Sequence, residues 1–504
     1  LPQFPMETWN FRIVHVAGAL VLGFMLFAAY DFREGARRER PVLSWVSLLF
    51  LIPALVALGS GLWFGQLIRD GAMWNGIDPT IRYRETWYFG VPLLVATAGG
   101  ILMSWIDYRD RDGFAAPDAV LSVCAVAVAL YLVTVFGTSM RMSTGSDFAP
   151  IGISFAATAG VALIMELTRR MAGLALIIIA GVFLAYVFFG HTLPGFLNAP
   201  PFSWQRFFSQ VYTDAGILGP TTAVSSTYII LFIIFAAFLQ ASKVGDYFVN
   251  FAFAAAGRSR GGPAKVSIFA SGLMGMINGT SAGNVVATGS LTIPLMKKVG
   301  YRKQTAGAVE AAASTGGQIM PPIMGAGAFI MAEITGIPYT EIAVAALIPA
   351  VLYFTSVYFM VDFEAAKLGM RGMRKEELPD LGQMLRQFYL FVPIVILIAA
   401  LFMGYSVIRA GAYATAAAAV VSWLTPHAMG PRAILKAFEL AGVMSVQIIA
   451  VCACAGIIVG VISLTGVGAR FSNLLLGLAG VSQLLALFFA MCIAILLGMG
   501  MPTT

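Results

Sequence analysis

Charge is what this sequence has least of. Asp, Glu, Lys and Arg together make up 11% of its 504 residues, 59% are hydrophobic, and the mean hydropathy is +0.86. A chain so poor in solvated side chains cannot cover a water-soluble surface, and it reads as an all-α polytopic membrane protein. Histidine is nearly missing: His15, His191 and His427 all fall near predicted membrane edges. No G-x-x-x-x-G-K-[ST] run occurs, which excludes a phosphate loop and ATP as the energy source. The four cysteines, Cys124, Cys452, Cys454 and Cys492, sit in apolar segments, and the two that are close in sequence face different sides of a helix. Neither a disulfide frame nor a thiolate metal site is expected of them. The net charge of +7 comes from basic residues in short loops between apolar runs, which is the pattern of cytoplasmic retention rather than of nucleic-acid binding.

What is present centres on Val266 to Leu295. The ends of this stretch are apolar, but Gly275, Asn278, Gly279, Thr280, Ser281, Gly283 and Asn284 make its middle small and polar. As one helix it would be roughly 45 Å long, against a hydrocarbon core of about 30 Å, so it is too long to cross once and too short to cross twice. Arg258, Arg260 and Lys265 precede it and Lys297, Lys298, Arg302 and Lys303 follow it, which puts both ends on the cytoplasmic side. The expectation is a re-entrant hairpin over 266–295 with its polar tip inside the membrane, where irregular backbone survives only if buried in protein or lining a cavity.

Ahead of the hairpin, spans are predicted at 13–30, 44–65, 87–106, 119–136, 150–167 and 171–190, with the arginine-rich loops placing residue 1 outside. Residues 191–220 should form an interfacial loop with a short amphipathic helix, 222–240 a crossing, and 243–257 an interfacial helix. After the hairpin, 304–332 contains Ser314-Thr-Gly-Gly-Gln-Ile-Met-Pro-Pro322, where two prolines and two glycines predict a break in mid-span. Further crossings are expected at 342–361, 388–405, 410–424 and 445–464, with a surface helix at 431–440.

The hairpin region recurs. A shift of 223 positions pairs Val244 with Val467, Phe248 with Phe471, Asn250 with Asn473, Gly275 with Gly498 and Thr280 with Thr503, and counting crossings gives the copies opposite orientations. Secondary transporters build midplane sites from such inverted repeats.

Two chemistries compete for the polar tip. Gly279-Thr-Ser281-Ala-Gly283 matches the G-x-S-x-G of serine hydrolases, but a nucleophilic serine needs a base, and no histidine lies in the hairpin or the broken helix. Binding uses what is present. The hydroxyls of Thr280, Ser281, Ser314 and Thr315, the amides of Asn278, Asn284 and Gln318, and freed carbonyls near Gly279, Gly316 and Gly317 are hard oxygen ligands suited to a small cation. Half-helix N-termini suit an anionic substrate group. Glu310 is the most inward acidic residue of this region. It is either a coupling group or, the reading preferred here, a solvated interfacial partner of Arg302 and Lys303.

The motifs GTSAGNVVATG (279–289), GAVEAAASTGGQIMPPIMGA (307–326) and GMGMPTT (498–504) resemble those of the fused membrane permease of TRAP (tripartite ATP-independent periplasmic) transporters of the TAXI-associated type. The resemblance covers about Arg169 to Thr504. It implies an inverted-repeat, elevator-type transporter in the bacterial inner membrane, which takes an organic acid such as a carboxylate from a periplasmic TAXI-type solute-binding protein and is driven by sodium rather than ATP. Residues 1–190 would correspond to the fused small membrane subunit, with a helix pair over 44–106 beyond the usual arrangement. Residues 191–465 would form the first repeat, with linking helices at 342–464, and 466–504 the start of the second. By motif position the cation ligands would be Asn278, Gly279, Thr280, Ser281, Ser314, Thr315, Gly316, Gly317, Gln318, Gly500, Thr503 and Thr504, and the substrate residues Asn284, Gln318, Pro321 and Pro322. Proton coupling would bring in Glu310. Alternatives are a stand-alone carboxylate carrier and, far behind, an intramembrane hydrolase. The sequence reads as cut at both ends, and a chain stopping inside the second tip is expected not to transport by itself.

Overall fold

Apolar runs of this length, with backbone groups that lipid cannot satisfy, leave helix as the available secondary structure. The computed structural model describes residues 7–29, 46–70, 79–106, 115–374, 376, 378–425 and 428–498, and among these no strand occurs. Nine of the described helices are long and apolar enough to cross a membrane. The chain divides into two compact units, Leu1–Ser226 with Val446–Pro502, and Thr227–Ser445 with Thr503–Thr504.

The first unit contains α1 (Thr8–Leu26), α2 (Leu51–Arg69), α3 (Pro79–Ile106), α4 (Ala116–Phe136), α5 (Ile151–Ala172), α6 (Leu174–Phe189) and the short α7 (Trp204–Val211). α4 packs against α1, α2 and α3, and 67% of its span is buried. Three buried carboxyl groups here have side-chain partners. Glu85, fully buried on α3, accepts the Tyr131 hydroxyl of α4. Glu166 on α5 accepts from Arg169 Nη2 and Arg170 Nε, each at 2.9 Å, and from Trp105 Nε1 at 3.0 Å. Arg170, with no exposed side-chain surface, also reaches Asp118 Oδ1 at 2.7 Å.

The second unit follows α8 (Pro220–Ala241), whose first residues belong to the first unit. It holds α9 (Val244–Ala256), α10 (Gly262–Asn278), α11 (Ser281–Lys298), α12 (Lys303–Gly316), α13 (Ala326–Thr335), α14 (Tyr339–Lys367), α15 (Leu381–Arg386), α16 (Val392–Phe402) and α17 (Val407–Ser422). α10 and α11 form the two arms of the predicted hairpin, separated by Gly279 and Thr280 alone. α12 packs on both arms, and α14 packs on α10 and α12. The predicted break is present as well: helix runs to Gly316, a single 3-10 turn covers Gly317–Ile319, and helix resumes at Ala326.

One expectation fails outright. The surface helix at 431–440 and the crossing at 445–464 are a single 35-residue helix, α18 (Pro431–Thr465). The segment Ala441-Gly442-Val443-Met444 has no proline, and one glycine costs a helix only about 1 kcal/mol, too little to end it. α19 (Val467–Val481) and α20 (Gln483–Gly498) close the described chain. The 223-residue shift carries the start of α9 onto the start of α19, whereas the counterpart of the hairpin tip lies outside the described residues.

Candidate functional site

The hairpin tip and the break meet inside the second unit. α10 ends at Asn278, and Gly279 follows in the left-handed region at φ +61°, closing its N–H onto the Gly275 carbonyl. A side chain at Gly279 would be strained by that φ. It would also meet the Met324 carbonyl oxygen at 2.3 Å, so the backbone of the break lies directly on the tip. Thr280 is extended and α11 starts at Ser281, which turns the first-turn N–H groups of α11 toward the tip region.

One level below, the two elements are closer still. A Cβ on Gly275 would stand 2.2 Å from the Gly317 Cα, so backbone rests on backbone there. Asn284 is wholly buried beside this contact, its Nδ2 donating to the Ser271 carbonyl at 2.8 Å. Its Oδ1 is buried without a hydrogen-bond partner, an oxygen acceptor left free next to the break. The break itself is held from α14, because the Tyr339 hydroxyl bonds the Pro322 carbonyl at 2.8 Å and also the Ile323 carbonyl.

Below Asn284 lies a second polar layer. Glu310 has no exposed surface, and its carboxylate is reached by hydroxyls from three helices. Oε1 accepts from Thr288, from Ser271 at 3.3 Å and from Ser314 at 3.2 Å; Oε2 accepts from Thr292 and from Ser267 at 2.6 Å. Among the described residues no cationic side chain is paired with it. The solvated place beside Arg302 and Lys303 expected for Glu310 is thus not the one it occupies. Position 310 lies two turns into α12, on the side that α10 and α11 cover.

Known proteins can now be set beside this geometry. The sequence model of the family described as "Tripartite ATP-independent periplasmic transporter, DctM component" matches residues 159–504, well over half of the chain. The chain belongs to this family. The DctM family is a membrane transport component and not an enzyme. The C4-dicarboxylate TRAP transporter large permease protein DctM of Vibrio cholerae is 37% identical over 91 residues, which cover 18% of this chain and 20% of that protein. An uncharacterized protein of Sinorhizobium fredii, y4mL, is 26% identical over 197 residues, 39% of this chain and 42% of the relative. The chain therefore spans about a fifth and about two fifths of these curated relatives.

Within this DctM chain the residues singled out from sequence fall into groups. Gly279, Ser281 and Asn284 lie at or just below the tip, Ser281 and Asn284 buried. Asn278 ends α10, and Thr280 joins the two arms, half-buried. Gly316, Gly317 and Gln318 form the break, with the Gln318 carbonyl accepting the Gly325 N–H at 2.7 Å. Ser314 turns down to Glu310, while Thr315 is exposed and bonded to the Ala311 carbonyl of its own helix at 2.8 Å. Pro321 and Pro322 line an apolar cavity of about 240 Å³ with Met276, Met320, Leu347 and Phe402. Gly500, Thr503 and Thr504 lie outside the described residues, as does His427. His15 and His191 belong to the first unit, so no described histidine of the second unit could serve Ser281 as a base.

Sequence reasoning missed Ser267, Ser271, Thr288 and Thr292. The signal was there: Ser267 and Ser271, Thr288 and Thr292, and Glu310 and Ser314 are each four residues apart in apolar helices, so each pair lines one helical face.

Proposed function

We propose that this chain is the membrane permease of a binding-protein-dependent secondary importer in the bacterial inner membrane. In this reading a periplasmic TAXI-type solute-binding protein hands over an organic acid such as a carboxylate. A cation, sodium by resemblance to the family, drives uptake without ATP, and an elevator-like movement of the hairpin domain carries the load. The observation that carries the proposal is the tip of the hairpin lying on the break, with the Met324 carbonyl against Gly279 and the unpartnered Asn284 Oδ1 beside Gly317. Free carbonyl and amide oxygens are the donor set a hard cation takes, and the N-terminus of α11 offers N–H groups and a positive dipole end to a carboxylate. Thr280, Ser281, Asn284 and Gln318, at the tip and the break, are the residues proposed to line such a site. The C4-dicarboxylate named for the Vibrio cholerae relative makes that substrate class the first to try.

The test is uptake into proteoliposomes holding the full-length protein, with a panel of organic acids, with and without its candidate binding protein, under a sodium or a proton gradient. Uptake that needs the binding protein and an ion gradient is expected. Concentrative uptake with no binding protein would replace this reading with that of a stand-alone carrier, and uptake that needs ATP would end it.

A further inference from the structure

We propose that the pocket around Glu310 is where the positive charge of a sodium ion is taken up and released during the transport cycle proposed above, on which this assignment rests. A carboxylate shut away from water costs on the order of several kcal/mol unless its charge is met. At Glu310 every described partner is a hydroxyl: Ser267, Ser271, Thr288, Thr292 and Ser314. Hydroxyl dipoles soften the cost but bring no net charge, so the pocket as built is one positive charge short.

The charged groups on the packed helices do not supply it. On α10, Lys265 gives its Nζ to Asp362 Oδ1 of α14 at 2.6 Å and lies 4.6 Å over the Tyr358 ring. On α11 the cations Lys297 and Lys298 stand at the far C-terminal end, and on α12 Lys303 stands at the start. On α14, Glu341, Asp362, Glu364 and Lys367 cluster at the two ends, and the Tyr353 hydroxyl bonds the Ala312 carbonyl at 2.8 Å. None of them is bonded to Glu310.

Around Ser271 the spacing of the oxygens suits the missing charge. Ser271 Oγ lies 3.2 Å from Thr288 Oγ1, 3.4 Å from Ser314 Oγ and 3.3 Å from Glu310 Oε1. Oxygens that surround a hard cation at about 2.3–2.6 Å stand roughly 3.3–3.7 Å apart along an octahedral edge, so these separations need little adjustment. There is also a route by which occupancy reaches the tip: Ser271 touches Glu310 with its hydroxyl and holds Asn284 with its carbonyl, and Asn284 Nδ2 lies against Gly317 in the break.

The test is thermal unfolding of the detergent-solubilised full chain and its Glu310→Gln variant. Sodium chloride is exchanged for choline chloride at neutral pH, and the pH is lowered in choline chloride alone. Glutamine keeps the shape and removes the charge; its amide N–H groups donate where one carboxylate oxygen accepted, and the hydroxyls on that side can turn to accept them. If the pocket takes sodium, sodium raises the melting temperature of the wild type, and Glu310→Gln weakens the apparent affinity about tenfold or more, equivalent to about 1.4 kcal/mol. Acidification that stabilises the wild type, where sodium does not, overturns the proposal. So does a variant that answers sodium as the wild type does, or a wild type that does not answer it. Should Glu310→Gln fail to fold, Thr292→Val takes its place, and a wild-type ion response there is equally fatal. Failure of the importer reading would show separately, as absent binding-protein-dependent uptake beside an intact ion response.

Discussion

Glu166 in the first unit and Glu310 in the second are both buried carboxylates on apolar helices, and they are neutralised in opposite ways. Glu166 is clamped by two guanidinium groups and an indole N–H, and the charges are closed within a few ångströms. Glu310 is surrounded by hydroxyls alone. A permanent ion pair needs nothing from outside to stay neutral. A carboxylate met by hydroxyls alone does, and in the transport cycle proposed above that makes the first unit the scaffold and the second the part that is loaded and unloaded.

That contrast can be broken at several points. Arg170→Ala should have the largest effect, because it removes one of the two guanidinium groups on Glu166 and, with it, the one that reaches Asp118; a loss of about 3–5 kcal/mol is expected, seen as loss of monodisperse protein in size-exclusion chromatography at any sodium concentration. If this variant survived and melted like wild type, the ion cluster would not be the anchor described.

The paired neutralisations come next. Glu166→Gln should cost about 1.5–3 kcal/mol, the usual worth of hydrogen bonds to a charged group, and lower the melting temperature. In sodium-free neutral buffer Glu310→Gln should leave the melting temperature unchanged or raise it. Equal losses from the two would erase the distinction.

Gly275→Ala pushes a methyl into the Gly317 backbone and should cost about 1–3 kcal/mol, with binding-protein-dependent uptake falling further than stability does. Uptake and stability at wild-type levels would mean that the close approach of hairpin and break is dispensable. The smallest effect is expected at Gly307 of α12, where a methyl meets nothing within 4 Å. Gly307→Ala should stay within about 1 kcal/mol of wild type in thermal melts, on the stabilising side.

The hairpin and the break were legible because each violates a simple length or hydrogen-bonding rule: 30 residues that fit neither one nor two crossings, and two adjacent prolines in a span. The Glu310 pocket was not, because the judgement on Glu310 used its neighbours along the chain, Arg302 and Lys303, rather than its neighbours across the helix pair. Its partners come from positions 267, 271, 288 and 292, and only the antiparallel packing of α10 on α11, with α12 across both, brings them together. The continuity of α18 was missed for the converse reason. A surface helix at 431–440 and a crossing at 445–464 were expected as separate elements, although nothing between them stops a helix.

The missing counter-charge at Glu310 also has an electrical side. With its ion aboard the pocket is neutral, and membrane voltage exerts no force on it. Without the ion it carries one negative charge, and a cell interior that is negative pushes that charge outward with about 2.3 kcal/mol per 100 mV across the full membrane. In the importer proposed above this is the leg on which the emptied domain travels back to face the periplasm, so through this pocket the voltage would act on the return stroke and not on the loaded one.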